Sequence, residues 1–182
     1  MTATKWDFDL SHSSINFHVR HLMVSKVHGR FGAWSGILEL DDQDSSKSRV
    51  EVTIDAASID TKEPKRDAHL RSADFFEVEK FPQLTFKATK VTRRAANEYE
   101  LAGDLTIRGI TRPVTIAVDG GDTVKDPWGG TRTGFSARTS INRKDFGLTW
   151  NALLEAGGVT VGDKVEITLE IEAIAKAASA AA

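Results

Sequence analysis

The chain has no cysteine. Disulfides, thiolate nucleophiles and sulfur-bound metals are excluded, so stability has to come from an apolar core. No apolar run approaches the roughly 20 residues of a membrane-spanning helix. The N-terminal MTATKWDFDL also lacks the apolar segment of a secretory signal. Read as it stands, the sequence predicts a cytoplasmic protein with no transmembrane segment. Excess positive charge is missing too. Lys and Arg number 24 against 26 Asp and Glu, a formal net charge of -2, so no nucleic-acid partner is expected. GxSxG, P-loop and GxGxxG motifs are absent. Ser13 follows His12, but neighbours on a strand point to opposite faces. No catalytic residue is assigned, and an enzyme is not expected.

What is present is alternation with a period of two, the mark of half-buried strands. The stretch Trp6 to Leu40 reads as two long strands with a bend at Ser25-Lys26. Ile15, Phe17, Val19 and His21 share one face of the first, with His18 and Arg20 on the other. Val27, Gly29, Phe31, Ala33 and Ile37 share a parity on the second. Ten residues would span about 33 Å. Val50, Val52, Ile54 and Ala56 mark the next strand. Residues 61–82 lose the alternation and read as a crossover. It holds short helical turns at 68–71 and 74–77, with Asp67 and Asp74 as N-caps. Strand character returns at 84–89, 98–107, 114–118, 133–141 and 165–172. Pro113 starts one of these strands. Residues 119–131, rich in glycine around Trp128, read as a mobile loop, and 142–163 as irregular with a helical turn at 151–155.

About eight strands joined mostly by short turns imply antiparallel order. No helix is long enough to cover a sheet, so the apolar faces bury against each other in a closed barrel or a sandwich. The 182 residues fit one domain over 1–175, followed by an Ala-rich disordered tail at 176–182.

The residues then form a recognisable set. Asp9, His12-Ser13, Phe17, Arg20-His21, Gly29, Phe31 and Gly36 resemble the start of the YceI-like family. Ser58-Ile59-Asp60-Thr61, Arg66-Asp67, His69-Leu70, Phe75-Phe76, Phe81-Pro82 and Phe86 continue the match. So do Gly103 to Ile107 with Gly109, Asn142-Arg143 and Asp145-Phe146-Gly147. The resemblance runs over roughly residues 6 to 174. It implies an all-β, elongated, lipocalin-like eight-stranded antiparallel barrel that binds a polyisoprenoid or related amphiphile. Many relatives are periplasmic, against the location read above.

Inward parity selects Phe17, Val19, Phe31, Val52, Ile54, Phe86, Leu101, Leu105 and Phe135 as ligand-binding. A barrel of eight strands is either filled by side chains or holds one slender ligand. Gly29, Gly103, Ala88 and Ala137 share that parity and argue for space. With the resemblance added, a channel is expected. Lys62, Lys65, Arg66, His69 and Arg71 form a basic cluster whose alternative is a solvated face balanced by Glu63, Asp67 and Asp74. Arg66, His69 and Arg143 are the candidates for a phosphate or carboxylate headgroup. Of the five histidines, His18 and His21 lie on opposite faces, and His12 and His18 are about 20 Å apart, so no metal site is assigned. Trp128 reads as a packing anchor for its loop, with a lid as the alternative. The expected function is non-enzymatic binding, transport or storage of an isoprenoid lipid, with no cofactor beyond that ligand and a homodimer left open. The alternatives are a barrel enzyme of isomerase or cyclase type, or an interaction domain with a packed core.

Overall fold

A computed structural model describes residues 3–177. Residues 178–182, most of the expected tail, lie outside the described residues. The strands are β1 (Thr4–Phe8), β2 (Ser14–His21), β3 (Ser25–Phe31), β4 (Trp34–Leu40), β5 (Arg49–Asp55), β6 (Ile59–Asp60), β7 (Gln83–Ala95), β8 (Glu98–Ile107), β9 (Ile110–Lys125), β10 (Thr131–Asn142) and β11 (Val161–Ala175). Among the described residues one α-helix, α1 (Pro64–Arg71), and three short 3-10 turns interrupt them.

All pairings between these strands are antiparallel, and β11 closes the sheet by pairing with β1 as well as β10. β1 and β2 both run along β11, at Phe8↔Ala173 and Ser14↔Glu170, so they are two pieces of one barrel strand broken at residues 9–13. β3 and β4 are likewise two pieces, one beside β2 and one beside β1. β5 and β6 follow the same plan against β4 and β3. The eleven segments thus make the expected eight-stranded antiparallel barrel.

Several local expectations are corrected. The bend of the first hairpin lies at residues 22–24, and Ser25-Lys26 already belong to β3. Inward parity does not run through from Val27 to Ile37. At Gly32-Ala33 the strand is interrupted, and Gly32 N–H donates to the Ser58 carbonyl instead. The two-residue break reverses the facing. Trp34 and Leu38 are buried, whereas Ala33 is exposed.

The crossover holds one helix, and its N-cap is Glu63, whose carboxylate accepts from the Lys65 and Arg66 N–H groups. Asp67 is no cap. It is buried inside the first turn and accepts from the Thr61 N–H at 2.9 Å and the Thr61 hydroxyl. Asp74 caps nothing either, because 74–77 is a turn and its carboxylate takes the His69 Nε2–H at 2.8 Å. Residues 119–131 are mostly strand. β9 continues through Gly120 and Gly121, at φ 127° and 102°, and Pro113 lies within it opposite Asp104. Only 126–130 turns, held by the Asp126 carboxylate on the Trp128 and Gly130 N–H groups. Trp128 is 83% exposed, so it does not anchor its loop by packing among the described residues. The helical turn forms at Arg143–Phe146 rather than at 151–155.

A two-chambered barrel interior as candidate functional site

One end of the barrel is plugged. Leu70, Phe75 and Phe76 point inward over it, and Phe75 packs on Trp150 with ring centroids 5.5 Å apart. Arg108, in the turn after β8, ties the plug together. Its guanidinium donates to the Ala73 and Gly147 carbonyls and to Glu77.

Above the plug lies a cavity of about 180 Å³. Its walls include Phe17, Val19, Phe31, Ile54 and Leu105. A second cavity of about 540 Å³ occupies the other half, walled by Phe8, Leu38, Leu101, Phe135 and Ile171. Val52, Phe86, Ile116 and Leu169 line both chambers. They form a waist where the two meet. The larger chamber ends at a polar rim of Asp41, Asp42, Asp44, Ser45, Arg93 and Asn97. Its volume alone lies within the roughly 300–1,000 Å³ of small-molecule sites.

All nine residues selected by inward parity therefore line one or both chambers. Ala137 lines the larger chamber, but the two glycines do not make space. The Phe86 ring lies over Gly103, where an added Cβ would stand 2.6 Å from both that ring and the Lys87 carbonyl oxygen. Phe17 covers Gly29 in the same way. The chambers lie mainly between the aromatic and branched side chains of facing walls.

The described barrel matches the YceI-like domain model over residues 6–173. The chain belongs to the YceI-like family. Protein YceI of Salmonella newport is 41% identical over 145 residues, 80% of this chain and 75% of that one. The crystal structure of the Campylobacter jejuni YceI protein superposes with a TM-score of 0.75 at 30% identity, covering 87% of this chain and 90% of that one. A domain of Saccharophagus degradans, described as polyisoprenoid binding, shares the fold at TM-score 0.68 and 16% identity, over 95% and 99% of the two chains.

In this YceI-like barrel the three headgroup candidates sit at the plugged end, Arg143 with all its donors engaged and Arg66 and His69 with some of theirs. Arg66 donates to the Thr61 hydroxyl and carbonyl, each at 2.8 Å. His69 is bonded to Asp74 and wedged edge-on against Phe75 and Trp150. Arg143 has a side chain only 4% exposed and donates to the carbonyls of Leu148, Trp150, Gly162 and Val161. Burial lowers its pKa, partly offset by Asp163. It pins the 147–162 segment to the plug.

A charged cluster that sequence reasoning missed fills the break between β1 and β2. Arg132 on β10 contacts three carboxylates: Asp9 at 2.8 Å, Asp126 at 2.9 Å and Glu172 at 2.5 Å. The Asp9 carboxyl is held far below the usual range, first by the Ser11 hydroxyl, then by Arg132 and His12. His12 is raised by its bond to Asp9. Asp9, His12 and Glu172 offer ligand atoms within 4.8 Å of one another. The Arg132 guanidinium already bridges the two carboxylates. Only the spacing Asp9 to His12 was visible in the chain, since Arg132 and Glu172 arrive from distant strands.

Proposed function

We propose that the barrel binds a slender long-chain amphiphile of isoprenoid type and carries or stores it unchanged. The tail runs from the larger chamber through the waist into the smaller one, and the head rests at the rim near Asp41 and Asn97. One observation carries this reading: two apolar chambers meet end to end inside a single barrel and share four lining residues. The likeness to a polyisoprenoid-binding domain supports the class of ligand. The nine lining residues are proposed as the tail contacts. Arg143 is set aside as a headgroup ligand, because its donors are spent on the protein; Arg66 and His69 lie at the plugged end, away from the rim where the head is placed.

The energetics favour a carrier. Each buried CH₂ is worth about 0.8 kcal/mol against water, but such a lipid comes from a membrane, so hydrophobic gain on transfer nearly cancels. Retention then rests on shape and on the head. Among the described residues Arg143 is the sole charged one lining the smaller chamber, so no acid and base pair faces the part of the tail held there.

Delipidated protein is titrated with a fluorescent prenyl analogue, and native mass spectrometry is run on protein from its own host. A copurifying prenyl lipid and saturable binding are expected. Conversion of the analogue would move the assignment to a barrel enzyme. No binding at all would leave an interaction domain.

A further inference from the structure

Four of the seven large apolar residues exposed among the described residues gather at one place. Leu22, Met23 and Val24, exposed by 40%, 62% and 82%, form the tip of the β2–β3 hairpin. Leu153, 86% exposed, lies in the 149–160 loop beside it. The two segments touch: Leu22 N–H donates to the Thr160 carbonyl at 2.9 Å, and the Met23 sulfur lies against Gly158.

The backbone makes this choice of residues harder to explain by folding alone. Val24 N–H donates to the His21 carbonyl, and Leu22 and Met23 hold φ of 52° and 59°. Leu22 and Met23 are thus the central pair of a turn inside the three-residue loop 22–24, both left-handed, a conformation that favours Asn and Gly. Large apolar residues are disfavoured there, and here burial is only partial, with Leu22 40% and Met23 62% exposed.

The flanks are cationic. Arg20 and Lys26 face each other in register immediately behind the tip and carry this charge; His18 and His28 are the next outward pair, and burial favours the neutral form of His18. Arg20 and Lys26 are exposed, and neither is within salt-bridge reach of a carboxylate among the described residues. Nearby Asp163 is engaged by Arg143 and Lys144, and Glu166 by Lys164. Glu155 is the one carboxylate on the 149–160 loop. The far end of the barrel has the opposite sign. β3 begins at the tip and β4 ends at the rim carrying Asp41, Asp42 and Asp44, up to about 50 Å away at about 3.3 Å per residue.

We propose that this end is a docking surface for an anionic lipid bilayer. Met23, Val24 and Leu153 enter the interface, while Arg20 and Lys26 meet phosphate headgroups. The acidic rim is repelled, which fixes the orientation. Val19 and Val161, which line the smaller chamber, adjoin the two docking loops. The inference stands on the exterior of the barrel and does not depend on what the interior holds.

Flotation of the full chain with vesicles tests it. Vesicles of equimolar phosphatidylglycerol and phosphatidylcholine are compared with phosphatidylcholine alone. Wild type is expected to float with the anionic vesicles, weakly with the neutral ones, and less as salt rises. Arg20→Ser with Lys26→Ser should weaken partition by about fivefold per cation. Leu22→Asn with Met23→Gly suits the turn better than the native pair, so the fold is kept and thermal stability is held or raised. It should weaken flotation at least about tenfold, with prenyl-analogue binding unchanged. Equal flotation of this variant and wild type, or wild type that floats with neither vesicle, overturns the proposal. So does sedimentation showing a wild-type dimer that the variant abolishes, since a second copy would then cover the tip.

Discussion

Phe17 on β2 stands in register with Gly29 on β3, and its ring occupies the space a side chain at position 29 would need. The pair explains how a barrel can have small inward residues and still be closed at its wall. The ring covers the strand backbone beside it and turns its other face to the smaller chamber. Phe86 over Gly103 repeats the device on the opposite side. Each ring thereby becomes a fixed wall of the cavity instead of a filler of it.

Gly29→Val should therefore push the Phe17 ring off the wall. Overpacking of this kind costs about 1–3 kcal/mol, and each kcal/mol lowers Tm by roughly 2–4 °C in a chain of this size. Thermal unfolding of the delipidated protein measures it. A Tm equal to wild type would mean the ring moves freely and is no wall.

The waist gives a test of the tail path. Ile116→Phe adds bulk between the chambers, next to space that is already open. Affinity for a long-chain prenyl alcohol should fall about tenfold, roughly 1.4 kcal/mol, while a short-chain alcohol held in the larger chamber keeps its affinity. Equal losses for both lengths would show that the tail does not cross the waist.

Arg143 is expected to matter for stability and not for lipid recognition. Arg143→Met leaves the Leu148, Trp150, Gly162 and Val161 carbonyls without their donor, a cost of about 2–4 kcal/mol. Amide exchange should speed up across 148–162. A variant of normal stability with lost lipid binding would restore Arg143 as a headgroup ligand.

The Arg132 cluster predicts a pH dependence. The Asp9 pKa is lower folded than unfolded. Its contribution to stability is full above the unfolded value of about 3.9 and is lost as pH falls toward the folded one. Asp9→Asn should flatten the decline of Tm below about pH 4. His12 is shifted the other way, so its contribution is present below about 6.5 and fades as pH rises through its raised value. Arg132→Met leaves Asp9, Asp126 and Glu172 unneutralised. It should destabilise more at neutral pH than in acid, where the carboxylates protonate. A loss independent of pH would make Arg132 a packing residue.

The period-two pattern placed Phe17, Val52, Phe86, Leu101 and Phe135 on inner faces, because a strand's side-chain direction is local and needs no partner. The same logic failed at Ala33 and Ile37. Two residues at Gly32-Ala33 leave the ladder there, and nothing in the local alternation announces that step. Asp67 looked like a helix cap because its type and position suit one. Its carboxylate went to Thr61, and Glu63 took the cap.

The sequence by itself determined that this is an all-β chain with one apolar face per strand, and its motifs marked it as YceI-like. Both rest on short-range facts: alternation, turn residues and motif spacing. Tertiary structure decided the rest. It decided that aromatic rings cover the glycines and that the interior divides at Val52, Phe86, Ile116 and Leu169. It also gathered Asp9, Asp126 and Glu172 around Arg132, and Leu22 to Val24 beside Leu153. Those outcomes depend on the registers of β10, β11 and β2 across the barrel, which bring residues up to about 160 positions apart into contact. Register is a property of paired strands, so no single strand's sequence carries it.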